Sequence, residues 1–193
     1  MDKVERNLQR IRECTREFIW IRIPKTGSTS INSLLHDDIN HPHFSSQVFL
    51  DLDRQRYNEL FKFTIVRNPW DRLVTCYHYY RHKKSSFEQW IKNGMKNNIA
   101  DSKFYPISPI HQLGWFTDEE DNSMVDFIGK LENIDKDWKI ICDILKIDEP
   151  EKIPHKNKSR PRGKHYSTYY DKELKNLVGD ICSEEIKLLN YEF

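Results

Sequence analysis

Between Trp20 and Ser30 the chain reads Trp-Ile-Arg-Ile-Pro-Lys-Thr-Gly-Ser-Thr-Ser. Lys25 brings a full positive charge, and Thr26, Ser28, Thr29 and Ser30 bring hydroxyl donors around Gly27. A lysine and several donors at the mouth of a helix suit an oxyanion, a phosphate or a sulfate. The order differs from G-x-x-x-x-G-K-[ST], the loop that holds nucleoside triphosphates, whose lysine follows the second glycine beside a magnesium-binding hydroxyl. Here Lys25 precedes the segment's glycine. The same residues also suit a plain turn whose serines cap a helix.

A second group follows an apolar run, Phe61-Lys62-Phe63-Thr64-Ile65-Val66, which ends on Arg67-Asn68-Pro69-Trp70-Asp71-Arg72-Leu73-Val74-Thr75. Arginine presents a planar fork that fits a phosphate, and a threonine hydroxyl about two helical turns on can donate beside it. Taken alone, this turn also suits a surface on which Asp71 and Arg72 pair with each other.

The elements that must position these groups follow from hydrophobic period and punctuation. Val4, Leu8 and Ile11 predict a short amphipathic helix within 3–16. A strand over 18–23 leads through the lysine loop into a helix over 28–37. Residues 38–46, polar and histidine-rich with Pro42, read as loop. The strand at 61–66 is followed by a helix from about 70 to 82, because the residue before Pro69 disfavours helix and proline itself can start one. Ser85-x-x-Glu88 reads as a capping box for a helix to about 95, with Phe87, Trp90 and Ile91 on one face. Residues 97–123 lack periodicity, the mark of a functional or unstructured loop.

Met124-Val125-Asp126-Phe127-Ile128 predicts a third strand, and Asn133 a cap for a helix carrying Ile134, Trp138, Ile141 and Leu145. After a long loop at 148–168, basic between Lys156 and Lys164, helices run from about Asp171 onward. Strands alternating with helices predict one α/β domain over 1–193, with a mostly parallel central sheet, helices on both faces and 1–16 as a helical extension. Ligands of such sheets bind at the carboxyl ends of the strands, where both groups emerge.

The 31 lysines and arginines against 30 acidic residues leave a net charge of +1, so nucleic acid is not an expected partner and an anion site must be local. The four cysteines (Cys14, Cys76, Cys142, Cys182) form no Cys-x-x-Cys pair. They fit thiols in a reducing compartment, so a cytoplasmic location is expected, with neither disulfide frame nor zinc site. No apolar run approaches the roughly 20 residues that span a membrane, and no signal-peptide pattern opens the chain.

Pro24-Lys25-Thr26-Gly27-Ser28-Thr29 after one strand and Arg67-Asn68-Pro69 through Thr75 after another resemble the sulfotransferases that use 3′-phosphoadenosine 5′-phosphosulfate (PAPS). The likeness is closer to their carbohydrate-modifying branch, the family 2 group that includes heparan sulfate 2-O-sulfotransferase. It continues through Asp126-Phe127-Ile128-Gly129-Lys130-Leu131-Glu132-Asn133, which looks like that branch's I-G-R-F-E-N segment, then Asn157-Lys158-Ser159, Tyr169-Tyr170-Asp171 and Asn190-Tyr191-Glu192-Phe193. It spans about residues 17–193 in the family's order. Thr75 stands where the family usually has serine, and Lys130 and Leu131 replace arginine and phenylalanine.

The resemblance implies a P-loop-type fold and transfer of a sulfuryl group from PAPS to an acceptor hydroxyl, by family likeness on a saccharide. The loop at Lys25 would hold the 5′-phosphosulfate, and Arg67 with Thr75 the 3′-phosphate. Lys25 fits a stabiliser of the leaving phosphate, and no metal is demanded. Among His36, His41 and His43, the last is the best match to the histidine that serves some members as base, with Asp37 and Asp38 as neighbouring carboxylates. A free imidazole would give a rate rising through roughly pH 6–7. Gln112 is the implied acceptor contact, and Ser159, Arg160 and Lys164 belong to a basic loop that could close over the cofactor's phosphates or simply be solvated. A P-loop kinase and a nucleotide-binding module without catalysis are the competing readings. PAPS binding without ATP binding separates the first, and a dispensable His43 with no acceptor favours the second.

Overall fold

In the computed structural model of the protein, residues 3–35, 43–79, 85–95, 110–154 and 164–193 are described. The chain runs α1 (Lys3–Arg12), β1 (Phe18–Ile21), α2 (Ser28–Leu34), α3 (Ser46–Leu52), α4 (Arg54–Glu59), β2 (Phe61–Val66), α5 (Pro69–Tyr79) and α6 (Phe87–Lys92). It continues through a 3₁₀ turn at Leu113–Trp115 to β3 (Phe127–Lys130), α7 (Ile134–Leu145), α8 (Lys172–Ile181) and α9 (Ser183–Leu188).

β1 and β2 are aromatic and β-branched on both faces, the composition of parallel strands covered on two sides. The sheet is wholly parallel in the order β1-β2-β3, with Phe18 opposite Phe61 and Phe63 opposite Phe127. Each parallel pairing needs a crossover, and helices supply it. One face presents Trp20, Phe63 and Ile65 to Ile31 of α2 and to Ile134, Trp138 and Ile141 of α7. The other presents Ile19, Ile21 and Val66 to Tyr57, Trp115, Phe116, Leu189 and Tyr191. Burying one such side chain is worth about 1.5–3 kcal/mol. A third cluster packs α6 and α8 onto α5 through Trp70, Leu73, Phe87, Trp90, Leu174 and Val178. It fixes α5, the helix that follows the Arg-Asn-Pro turn.

Three sequence expectations shift. The third strand lies at 127–130 rather than 124–128: the Met124 N–H donates to Phe116 O (2.7 Å), which keeps the start of that run beside the 117–123 turn. The capping box belongs to Ser86 and Gln89, one residue later than expected. Tyr77 Oη donates to Ser85 O (2.7 Å), so Ser85 stays outside the helix. Helices α3 and α4 lie within and just after segments read as loop or left unassigned. Each is two turns or less, too short for a periodic signal, although Asp53 caps α4 by accepting from the Arg56 N–H (3.0 Å).

Candidate active site

The β1 ladder stops short of Pro24, which has no N–H to give. Beyond it the backbone turns left-handed twice, at Lys25 (φ 70°) and Gly27 (φ 85°). Gly27 is required here: a Cβ would sit 2.7 Å from Leu131 Cδ1, in a backbone conformation L-residues avoid. Thr26 and Ser28 were expected to aim donors at an anion. Instead both hydroxyls donate inward to Ile23 O (3.0 and 3.1 Å) and brace the loop. Ser30 is buried, and Thr29 is exposed at the first turn of α2.

Arg67 leaves the end of β2 and crosses to that loop. Its Nη1 donates to Lys25 O (3.1 Å), while Nε and Nη2 donate to Asp71 Oδ2 (3.0 and 2.8 Å). Among the described residues, three of its five donors are thus engaged, and two are left for an incoming anion. Thr75 is buried on α5, six residues past Pro69 and so about 9 Å along the helix axis. The Asp71–Arg72 surface pair does not form. Asp71 orients Arg67, and Arg72, 1% exposed, donates from Nε to Pro24 O (3.0 Å) and from Nη1 to Ile110 O (2.8 Å). It pins both loops to α5.

Sequence reasoning missed the groups that hold this pair of turns in place. Gln112 is fully buried rather than open to an acceptor. Its Oε1 accepts from the Arg67 N–H (2.8 Å), and its Nε2 donates to Arg67 O (2.8 Å) and to Glu185 Oε1. Glu185, also buried, accepts the Gln112 N–H through Oε2 (2.7 Å). Glu132 accepts from the Asn68 N–H (2.7 Å) and from Tyr191 Oη (3.0 Å), and Asn68 Nδ2 donates to Glu192 O (2.7 Å). The segment that departs from its family pattern at Lys130 and Leu131 therefore keeps a use: Leu131 packs at Gly27 and Glu132 anchors the Arg-Asn-Pro turn.

His43 reaches the same region. Its Nδ1 lies 2.6 Å from Arg22 O, and its ring stands edge-on to Trp115 (centroids 6.2 Å apart). A carbonyl only accepts, so Nδ1 carries the proton and Nε2 the lone pair, the tautomer a general base needs. Burial, with smaller repulsion from Arg22, Arg72 and Lys25, pushes the imidazole down to about 4 against the pull of the Arg22 carbonyl. Lys25 is pushed down to about 8, first by burial; Cys76 opposes the shift, and Arg67 and Arg72 add to it. Burial is the main cause of both shifts, and a bound anion would favour the charged form of Lys25 against it.

Lys164 is exposed just ahead of the 3₁₀ turn at Tyr166–Tyr169. His36, Asp37, Asp38, His41, Ser159 and Arg160 lie outside the described residues. Among the described residues no group of three or more His, Cys, Asp or Glu is placed to hold a metal, and no helix is long and apolar enough to cross a membrane. All four cysteines are free thiols.

The crystal structure of mouse sulfotransferase SULT7A1 complexed with PAP shares this fold, with a TM-score of 0.61 over 95% of this chain and 90% of that chain, at 15% identity. No curated protein matches the chain. A family model described as the sulfotransferase family matches residues 10–192. The loop at Lys25, the arginine turn and His43 all lie inside that match, and the chain belongs to the sulfotransferase family.

Proposed function

We propose that the protein transfers the sulfuryl group of PAPS to an acceptor hydroxyl, on a saccharide as in the heparan sulfate 2-O-sulfotransferase branch it resembles. The observation that carries the reading is the contact between the two strand ends: Arg67 Nη1 donates to Lys25 O at 3.1 Å. The bond ties the Arg67 guanidinium to the Lys25 backbone, so the lysine loop and the arginine turn meet at one edge of the sheet, an arrangement that suits a nucleotide charged at both its 5′ and 3′ positions. The mouse sulfotransferase that shares the fold was crystallised with PAP, the desulfated form of such a donor.

PAPS, when bound, supplies a sulfuryl group already activated by its phosphate leaving group. The chain supplies position and charge. The left-handed loop and Lys25 receive the 5′ end, and Lys25 meets the negative charge that grows on the leaving oxygen. Arg67, oriented by Asp71, and Thr75 receive the 3′-phosphate. His43 Nε2 takes the acceptor's proton, with the ring held by the Arg22 carbonyl.

Calorimetry with three nucleotides tests the cofactor. PAP binds the wild-type protein far more tightly than AMP or ATP. Arg67→Ala weakens PAP roughly 10- to 150-fold, the worth of one charge-assisted bond at ~1.5–3 kcal/mol, while AMP loses little. Equal affinity for AMP and PAP in the wild-type protein overturns the assignment.

A further inference from the structure

We propose that Tyr79 is a positioning residue of the reaction, a π-face rest that holds the Lys25 ammonium in place for the 5′ end of the donor. The proposal rests on the sulfuryl-transfer reading for its purpose but not for its geometry. Lys25 Nζ lies 3.6 Å from the centroid of the Tyr79 ring, well inside the range of a cation–π contact. Tyr79 is the last residue of α5, and it stands four residues after Thr75. Residues four apart share a helix face, so α5 presents the Thr75 hydroxyl and the Tyr79 ring one above the other.

The ring is 56% exposed, large for a tyrosine on a helix whose other face is buried in the core. Its place over a lysine explains why an aromatic sits there. An ammonium has three N–H bonds, and one resting on a π face still directs donors away from the ring. The ring thus confines a flexible four-carbon stem without blocking the approach of an anion from the far side. It also favours the charged form of Lys25 against burial and against the nearby Arg67 and Arg72; Cys76 on α5 acts on the same ammonium in the ring's sense, and His43, which also lies near, is neutral where Lys25 titrates.

The test compares Tyr79→Phe, which keeps the ring, with Tyr79→Leu, which keeps only bulk. Titration of the Lys25 ε-amine by NMR in the nucleotide-free protein needs no turnover. Tyr79→Leu lowers the Lys25 pKa and Tyr79→Phe leaves it near wild type; an unchanged pKa in Tyr79→Leu overturns the proposal. In single-turnover assays with PAPS, Tyr79→Leu lowers the rate roughly 3- to 30-fold and moves its alkaline limb to lower pH, within the range of cation–π energies. In a Lys25→Ala background the same change has no further effect, because the ring acts only through the lysine. A Tyr79→Leu loss that persists without Lys25 overturns the proposal. A shifted Lys25 pKa in a protein that neither binds PAP nor consumes PAPS sustains the lysine rest and overturns sulfuryl transfer instead.

Discussion

Replacing His43 by alanine lowers turnover by about 10²–10⁴-fold while PAP still binds with near wild-type affinity, the loss expected when a general base is removed. His43→Asn is the sharper variant, because its side-chain amide can still donate to Arg22 O but has no basic nitrogen to offer. Both variants should be equally slow; a fast asparagine variant shows that the hydrogen bond, not the base, is what matters. The pH profile separates the roles further. Because burial pushes the imidazole down to about 4, His43 is neutral at pH 7, and the acid limb falls well below the 6–7 expected for a free imidazole. Bound nucleotide adds negative charge, so the limb measured at saturating PAPS lies above that of the free enzyme. The same depression makes folding pH-dependent. Between about 6.5 and 4 the unfolded chain binds the proton that the folded one refuses, so stability falls as pH drops through that window.

Lys25→Ala lowers the rate of sulfuryl transfer by about 10²–10³-fold, as when one preorganised donor to a developing oxyanion is lost. Its effect on PAP affinity is smaller, because the charge it meets grows only in the transition state. Rapid-quench single-turnover kinetics at saturating PAPS reads the chemical step directly. A normal rate with weakened PAP binding makes Lys25 a binding residue only. Lys25→Arg does not rescue, since a planar fork cannot take the place of a compact ammonium in this loop or rest on Tyr79 in the same way.

The elements that carry Lys25 and Arg67 are legible in the sequence because their signals are local. Pro24 bars the strand from running on past Ile23, Gly27 marks a left-handed turn and Pro69 opens a helix, each through what its own backbone can adopt. What holds those turns is not legible, because it depends on partners far away in the chain. Gln112 reads as an acceptor contact until Glu185 is placed against it, 73 residues later. Asp71 and Arg72 read as each other's partners until α5 turns one toward Arg67 and the other toward Pro24 and Ile110. The depressed His43 proton affinity escapes the sequence for the same reason: its shift comes from burial, which only the packed fold creates. Ser85 and Ser86 offer two overlapping capping boxes, and the choice is made by Tyr77 on another helix.

The left-handed backbone at Lys25 sets the interests of folding against those of catalysis. A non-glycine residue with φ near 70° costs roughly 1–2 kcal/mol that glycine would not, and here it also carries an ammonium into a half-buried, positively charged place. Glycine at position 25 would relax both burdens and leave a more stable protein, slowed as Lys25→Ala is expected to be. A population of variants selected only for resistance to heat should therefore drift away from lysine at this position, and one selected for turnover should keep it. The identity of this residue in any surviving variant thus reports which of the two pressures it was under.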